Sequence, residues 1–414
     1  MTSGEQKIEE KIADRGTDFR NDDSRLSDQQ QEEDERTVIS IEIVSQEEKQ
    51  EETRRRLSFL DCYLAVFILL AMVVGVLIGY YVPNIQHSFE TVQFDTVSVP
   101  IAIGLLLMMY PIMIDVKYEK LYKILTSKPV WIQIAISILI NFVVGPIIMT
   151  ALAWGTLPDL PEFRAGVVLI GLARCIAMVL IWVHLAHGDD TFGAMLVAIN
   201  SLLQIGLYSP YAVLFINIIP SWFGAEEQVS VHVEIWPVAE SVLIYLGIPL
   251  VAGLATRYTI IYFKGRPWFE NKFVPLMGHL ALVGLLYTIF VMFIIQGHQI
   301  IENIGSVFRT VVPLAVYFCI MFFTVFFSLK ALGVPYDVII TQAFTGSSNN
   351  FELAIAVAVG TYGIRSEQAL SATVGALIEV PVLLTLTYVA MFFRRKLNWN
   401  DRSTLMTINK ENIR

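Results

Sequence analysis

Long apolar stretches separated by short polar breaks run along the chain from Leu57 onward. A bilayer core about 30 Å thick needs about 20 apolar residues per helix, and these stretches have that length. They are continuously apolar rather than alternating, which favours helices over a β-barrel. The pattern predicts ten transmembrane helices, called spans here, at about 58–82, 96–114, 129–154, 163–183, 191–218, 236–257, 273–295, 308–329, 337–360 and 367–393.

Lysine and arginine cluster on one side of this predicted bundle, whereas the loops on the other side carry only Arg365. Short cytosolic loops are enriched in basic residues, so we expect both termini in the cytosol. The basic residues on the predicted cytosolic side are Arg54, Arg55, Arg56, Lys117, Lys120, Lys123, Lys128, Lys264, Arg266, Lys272, Lys330, Arg394, Arg395 and Lys396.

A weak internal repeat relates the two halves. When residues 171–204 are moved by 175 positions, four identities fall in 34 positions without a gap. The shift pairs span 4 with span 9 and span 5 with span 10, so the halves, about 57–222 and 232–396, would be inverted. Inverted repeats are typical of transporters, whose site lies near the midplane where discontinuous helices meet. The identical pairs are Gly171 and Gly346, Gly188 and Gly363, Ala194 and Ala369, and Leu202 and Leu377.

The composition excludes a soluble globular enzyme, because 55% of residues are hydrophobic, 16% are charged and the mean hydropathy is +0.59. Residues 1–56 hold 17 acidic and 10 basic residues, which account for most of the net charge of −9. This segment is predicted to be a disordered cytosolic tail. Residues 57–396 form the predicted transporter domain, and 397–414 a short cytosolic tail.

Motifs for other chemistry are missing from the sequence. Walker A, GxGxxG, HExxH, GxSxG and CxxC patterns do not occur, and the cysteines are Cys62, Cys175 and Cys319. We therefore expect no enzyme, no cofactor, no disulfide and no nucleic acid partner. His184, His187, Asp189 and Asp190 form a small cluster in a predicted cytosolic loop, which is either a solvated loop or a metal site.

Three charged residues lie deep in the predicted spans: Arg174, Glu352 and Glu379. A charge at the bilayer centre costs about 2.5–3.5 kcal/mol on insertion scales, so such residues are usually functional. The alternative is that they pair with one another or with a carbonyl and merely hold helices together. Either glutamate could take up and release a proton during a transport cycle.

Residues unsuited to a membrane helix flank these charges, namely Gly171 in span 4 and the run 346–350 (GSSNN) in span 9. We expect both helices to break there and to line a cavity. Cys175 lies in the first break, where the Arg174 guanidinium and a helix end would favour its thiolate, a ligand for thiophilic substrates. The polar residues predicted to form hydrogen bonds between helices are Asn141, Asn200, Gln204 and His279.

With GLARCIAMVLIW at 171–182, SSNNFELAIAVA at 347–358 and GALIEVPVLL at 375–384, the sequence resembles arsenite efflux permeases of the arsenical-resistance family, in the bile acid/sodium symporter superfamily. The resemblance extends over residues 57–396. It implies an all-α integral membrane protein with ten helices in two inverted five-helix repeats, in which helices 4 and 9 are broken and cross.

The same resemblance implies roles for individual residues. Cys175 would be the metalloid ligand that engages trivalent arsenic, and Glu352 the carboxylate linked to proton exchange. Asn349 and Asn350 would line the crossing. Arg174 and Glu379 match family motifs too, and we assign Arg174 to substrate binding and Glu379 to proton coupling.

The resulting hypothesis is an antiporter that exports arsenite, and by extension antimonite, in exchange for protons. Its partners would be arsenite, protons and the lipid bilayer of the plasma membrane, with the vacuolar membrane as the alternative; the oligomeric state stays open. The runner-up function is a sodium-coupled symporter for an organic anion, in which Arg174 would bind the anion. A third is a receptor or scaffold whose acidic tail recruits partners.

Overall fold

The protein is helical over almost all of the chain that a computed structural model describes, namely residues 66–82, 85, 93–94, 97–115, 128–176, 178–224 and 231–399. The exception is an antiparallel ladder of β1 (Gln93–Phe94) and β2 (Val97–Ser98). Six of the described helices are long and apolar enough to cross a bilayer, and further apolar helices are shorter. The prediction of an all-α membrane protein is confirmed at this level.

Several predictions fall outside the described residues. They concern the acidic tail at 1–56, Cys62 and the C-terminal residues beyond 399. The basic residues Lys117, Lys120 and Lys123 between spans 2 and 3 also lie outside them.

Helices lie along the whole described chain. In the first half they are α1 (Val66–Tyr81), α2 (Val99–Asp115), α3 (Val130–Thr156), α4 (Pro161–Leu172), α5 (Val179–Leu185) and α6 (Asp190–Trp222). In the second half they are α7 (Ile235–Lys264), α8 (Arg266–Glu302), α9 (Ile304–Ala331), α10 (Tyr336–Ser347), α11 (Phe351–Tyr362) and α12 (Glu367–Lys396).

Four long helices each contain a five-residue π-helical segment, and each segment is followed within two residues by a proline. Proline has no N–H and its ring clashes with the carbonyl one turn back, so the helix widens by one residue just before it. The prolines are Pro146 in α3, Pro220 in α6, Pro249 in α7 and Pro275 in α8.

The helices pack in two groups. In one group, α2 lies against both α7 and α8. In the other, α9 packs on α3, α10 and α12, while α4 packs on α3 and α12. Contacts of α7 with α6 and α11 join the groups, and large apolar side chains such as Ile132, Tyr262 and Phe308 remain exposed, as expected of a surface that faces lipid.

Helix α1 approaches α8 closely through two glycines spaced four residues apart. A Cβ at Gly75 would lie 2.9 Å from the Cβ of Phe293, and one at Gly79 would clash with the carbonyl oxygen of Ile294. From the other side, a Cβ at Gly297 would lie 2.8 Å from the carbonyl oxygen of Val76. Small residues at this spacing let membrane helices pack backbone to backbone, where van der Waals contact drives association.

Replacing Gly79 by alanine is therefore expected to force α1 and α8 apart and to destabilise the protein by about 1–3 kcal/mol, the usual cost of overpacking. The matched control is Gly278→Ala, also on α8, where a Cβ would meet nothing within 4 Å. Thermal unfolding in detergent should give a lower midpoint for Gly79→Ala than for Gly278→Ala. Equal midpoints would contradict the close packing of the two helices.

Candidate functional site

Two helices are interrupted in the middle of the second packing group. The first break separates α4, which ends at Leu172, from α5, which begins at Val179. The second separates α10, which ends at Ser347, from α11, which begins at Phe351. These are the positions at which the glycines and the Ser–Asn run predicted broken helices.

The two breaks meet and pair with each other. Arg174 and Asn349 form an isolated antiparallel β-bridge, and the N–H of Asn350 donates to the Ala173 carbonyl at 3.1 Å. The Asn349 side chain reinforces this contact, because its Nδ2 donates to the carbonyls of Ile170 (2.8 Å) and Ala173 (3.1 Å). Backbone groups that the broken helices leave free are thus satisfied by the other break.

The Arg174 side chain is buried and bonds to neutral groups. Its Nη1 donates to the hydroxyl of Tyr317 on α9 at 3.0 Å, and its Nη2 donates to the carbonyl of Gly171. Gly145 on α3 makes room for it, since a Cβ there would lie 2.7 Å from Nη1. Within the described chain Arg174 forms no ion pair with Glu352 or Glu379, so of the two pairings in that alternative only the one with a carbonyl is present, at Gly171.

Each break is held by a polar side chain from the second helix after it. Gln204 on α6 accepts a hydrogen bond from the Arg174 N–H at 2.9 Å and donates to the Arg174 carbonyl at 2.8 Å. Glu379 on α12 accepts from the Ser348 hydroxyl at 2.5 Å and from the Asn349 N–H at 3.4 Å. Both side chains are buried.

Cys175 is a free thiol, and its sulfur is buried between the breaks. It contacts the Ser348 hydroxyl and the N–H of Val179, the first residue of α5. The predicted helix end beside the sulfur is present, whereas the Arg174 guanidinium is directed to Tyr317 and Gly171. Glu352 lies half-buried in the first turn of α11.

Several buried polar atoms around the crossing have no hydrogen-bond partner within the described residues. Native proteins leave few such atoms, because each costs free energy when water is excluded. Their concentration here indicates a place prepared for a small polar ligand or for water. They are Arg174 Nε, Asn200 Nδ2, Asn349 Oδ1 and Asn350 Nδ2.

The prediction of hydrogen bonds between helices holds for one of the other polar residues and fails for two. Gln204 bonds between elements as expected, but Asn141 donates to Ser137 on its own helix and His279 bonds to the Pro275 carbonyl one turn back. For these two the prediction of interhelical bonds is wrong, because in a helix a carbonyl or hydroxyl four residues earlier is the nearest partner.

Where α5 meets α6, in the loop predicted to be cytosolic, His184 bonds to Asp190 at 2.8 Å. No group of three or more metal-type ligands occurs among the described residues, this loop included.

Asp159, in the turn before α4, forms an ion pair with Arg309 at the start of α9, which donates to both of its carboxylate oxygens at 2.7 and 2.5 Å. This pairing lowers the pKa of Asp159 to about 2. A depressed pKa adds stability above the ordinary value, and this contribution is lost as the pH falls towards 2. The pair therefore stays charged near neutral pH and does not sense protons there.

Sequence reasoning missed two residues of the site. Tyr317 accepts a hydrogen bond from Arg174 and Gly145 makes room for it, yet a tyrosine and a glycine in apolar spans carry little signal. Arg257 was also missed, although it is buried on α7, where its Nη1 donates to the Ile114 carbonyl at 3.0 Å. Its place near the end of a predicted span made it resemble a loop residue.

Comparisons with known proteins find related transporters. The sequence model of the sodium bile acid symporter family matches residues 102–303. The arsenical-resistance protein Acr3 of Corynebacterium glutamicum is 43% identical over 86% of this chain and 96% of its own length. An uncharacterized transporter of Synechocystis is 33% identical over 80% of this chain and 88% of its own length. The arsenical-resistance protein Acr3 of Alkaliphilus metalliredigens is 31% identical over 81% of this chain and 93% of its own length.

Paired breaks in apolar helices, with polar groups between them, define a membrane transporter. Within that class, the chain belongs to the Acr3 arsenical-resistance family. The resemblance read from the sequence motifs is confirmed.

Asn349→Ala should destabilise the protein, because it removes two buried hydrogen bonds that each contribute about 0.5–1.5 kcal/mol. Asn349→Asp should be worse, since a carboxylate would face both carbonyl oxygens. Asn303→Ala is the control, because Asn303 between α8 and α9 makes no side-chain cap. Thermal midpoints in detergent should fall in the order Asn303→Ala, Asn349→Ala, Asn349→Asp; a midpoint for Asn349→Ala as high as the control would disprove the bracing role.

Proposed function

We propose that the protein is a secondary active transporter that exports arsenite from the cytosol in exchange for protons and thereby confers arsenic resistance. Antimonite, a trihydroxide of the same shape, is a second expected substrate. The observation that carries the proposal is a buried free thiol, Cys175, at the meeting point of two helix breaks in a chain of the arsenical-resistance family.

The proposed architecture is ten spans in two inverted repeats. It is supported by a described helix in each of the ten predicted segments and by breaks that fall on equivalent residues of spans 4 and 9. The termini would be cytosolic and the membrane the plasma membrane. The described basic residues Lys264, Arg394 and Arg395, all at helix ends on the expected cytosolic side, support this orientation.

The proposed chemistry at the thiol is reversible. The Cys175 sulfur displaces one hydroxyl of As(OH)₃, so one S–As bond forms, one As–O bond breaks, and the thiol proton leaves with the hydroxyl as water. Hydrolysis on the other side of the membrane reverses the step. A single sulfur ligand suits transport, because several would hold arsenic too tightly for release.

The polar groups around the sulfur would complete the site. The unpartnered atoms of Arg174, Asn349 and Asn350 would bond to the arsenite hydroxyls. The Arg174 guanidinium already has two partners, which supports a neutral substrate over the organic anion of the runner-up hypothesis.

Proton exchange would supply the driving force. Arsenite is uncharged near neutral pH, so the membrane potential does not drive it and uphill export requires a coupled ion. Glu352 and Glu379, on the two helices that follow the second break, are the candidate proton carriers.

In everted membrane vesicles with an acidic lumen, the wild type should accumulate arsenite, and Cys175→Ser should reduce accumulation to the level of vesicles that lack the protein. Serine keeps the size of the side chain but removes the soft ligand. Cys319→Ser is the matched control, because Cys319 is a free cysteine on α9 outside the breaks, and this variant should transport normally.

Replacing sodium by potassium should leave this uptake unchanged. Uptake that requires sodium, or an undiminished Cys175→Ser variant, would refute the proposed mechanism.

A further inference from the structure

The two breaks are held in the same way at repeat-related positions. Gln204 follows Arg174 by 30 residues, and Glu379 follows Asn349 by 30 residues. The offset of 175 positions that relates the halves carries Arg174 onto Asn349 and Gln204 onto Glu379. The two held residues are also the two that pair in the β-bridge.

In the first repeat, Gln204 makes hydrogen bonds to both the N–H and the carbonyl of Arg174. The side-chain oxygen of Gln204 accepts from the Arg174 N–H and its nitrogen donates to the Arg174 carbonyl, at 2.9 and 2.8 Å. One amide therefore satisfies both polar backbone atoms of the residue before Cys175. The unwound segment that carries the thiol is fixed at that point.

In the second repeat, Glu379 accepts a hydrogen bond from the backbone of Asn349 but donates none to it. The Oε1 atom of Glu379 accepts from the Asn349 N–H at 3.4 Å and from the Ser348 hydroxyl at 2.5 Å. A carboxylate has no hydrogen to give, whereas a protonated carboxyl group has one donor and so matches an amide. A hydrogen bond from Glu379 to the Asn349 carbonyl can thus exist only while Glu379 carries a proton.

We propose that Gln204 is a permanent positioning residue for the Cys175 segment and that Glu379 is its protonatable counterpart, which carries the coupling proton and, when protonated, donates to the Asn349 carbonyl. This inference rests on the proposed proton-coupled transport and decides between its two candidate carriers. When Glu379 is protonated, each break is bound by one accepted and one donated side-chain hydrogen bond. When Glu379 loses its proton, the bond to the Asn349 carbonyl is lost and the second break is held less firmly.

The surroundings of Glu379 are consistent with this assignment. The titratable groups nearest to it are Glu352 on α11 and Cys175 in the first break, with Arg174 and Tyr317 on the other side of the bridge. Arg174 is held by neutral partners, so no described cation pairs with Glu379. The repeat-related position of Glu352 is Ala177, which offers no matching polar group.

The first experiment compares Glu379→Gln with Glu352→Gln in everted vesicles. Glu379→Gln places at the second break the same amide that holds the first, so it should preserve exchange of labelled arsenite at equilibrium while abolishing accumulation driven by a proton gradient. Glu352→Gln should still respond to the gradient. Gradient-driven accumulation by Glu379→Gln, or loss of it in Glu352→Gln alone, would overturn the inference.

Failure of the wild type to move arsenite at all would overturn the proposed function, and this inference with it. A wild type that transports arsenite with the variants reversed overturns the inference alone. The two failures are therefore distinguishable in one set of vesicles.

A second variant tests the hold without relying on Glu379. Gln204→Glu should make protection of Cys175 by arsenite against maleimide depend on pH, in protein with Cys62 and Cys319 replaced by serine. Relative to the same protein with Gln204, protection should be equal at acidic pH and weaker at alkaline pH, where the new carboxylate cannot donate. A ratio that is independent of pH would show that Gln204 does not position the thiol through these bonds.

Discussion

Inside a membrane, every backbone N–H and C=O that a helix gives up must find another partner in the protein. This constraint shapes the centre of the molecule. The two breaks meet in a β-bridge between Arg174 and Asn349, and the Asn349 side chain serves the last carbonyls of α4. Gln204 and Glu379 satisfy outward-facing backbone groups of the same two residues. The groups that would bind a substrate are therefore held by the groups that repair the helices.

The surrounding packing serves this centre. Arg174 can turn back onto its own helix because Gly145 leaves space and Tyr317 supplies an acceptor. The thiol of Cys175 is consequently left among neutral and acidic groups, beside Ser348, rather than in contact with a guanidinium. In the proposed mechanism, this arrangement suits a small neutral ligand that bonds covalently to sulfur and accepts or donates hydrogen bonds around it. It offers little to a large anion.

Much of this could be predicted from the sequence. Apolar length gave the helices, Gly171 and the Ser–Asn run gave the breaks, and charges in apolar surroundings pointed to Arg174, Glu352 and Glu379. Partners could not be predicted, because hydrogen bonds between residues such as Arg174 and Tyr317 join positions 143 apart. The partner of Asn141 could not be predicted either. Its burial follows from its place in an apolar span, but its hydrogen bond to Ser137 on the same helix depends on local geometry. The widened turns are predictable from their prolines, because proline disfavours the ordinary helical turn before it.

The bridge between the breaks also has a consequence for biosynthesis. A ribosome completes span 4 long before it has made Asn349, so the carbonyls of Ile170 and Ala173 enter the membrane without the Asn349 amide that later donates to both of them. Gln204 follows much sooner and can hold Arg174 in the nascent chain. The first half must therefore tolerate an unfinished centre, shielded by water or by the insertion machinery, until the second half arrives. Assembly of the crossing is then a late event, and truncated chains that end before span 9 should be recognised as incomplete by membrane quality control.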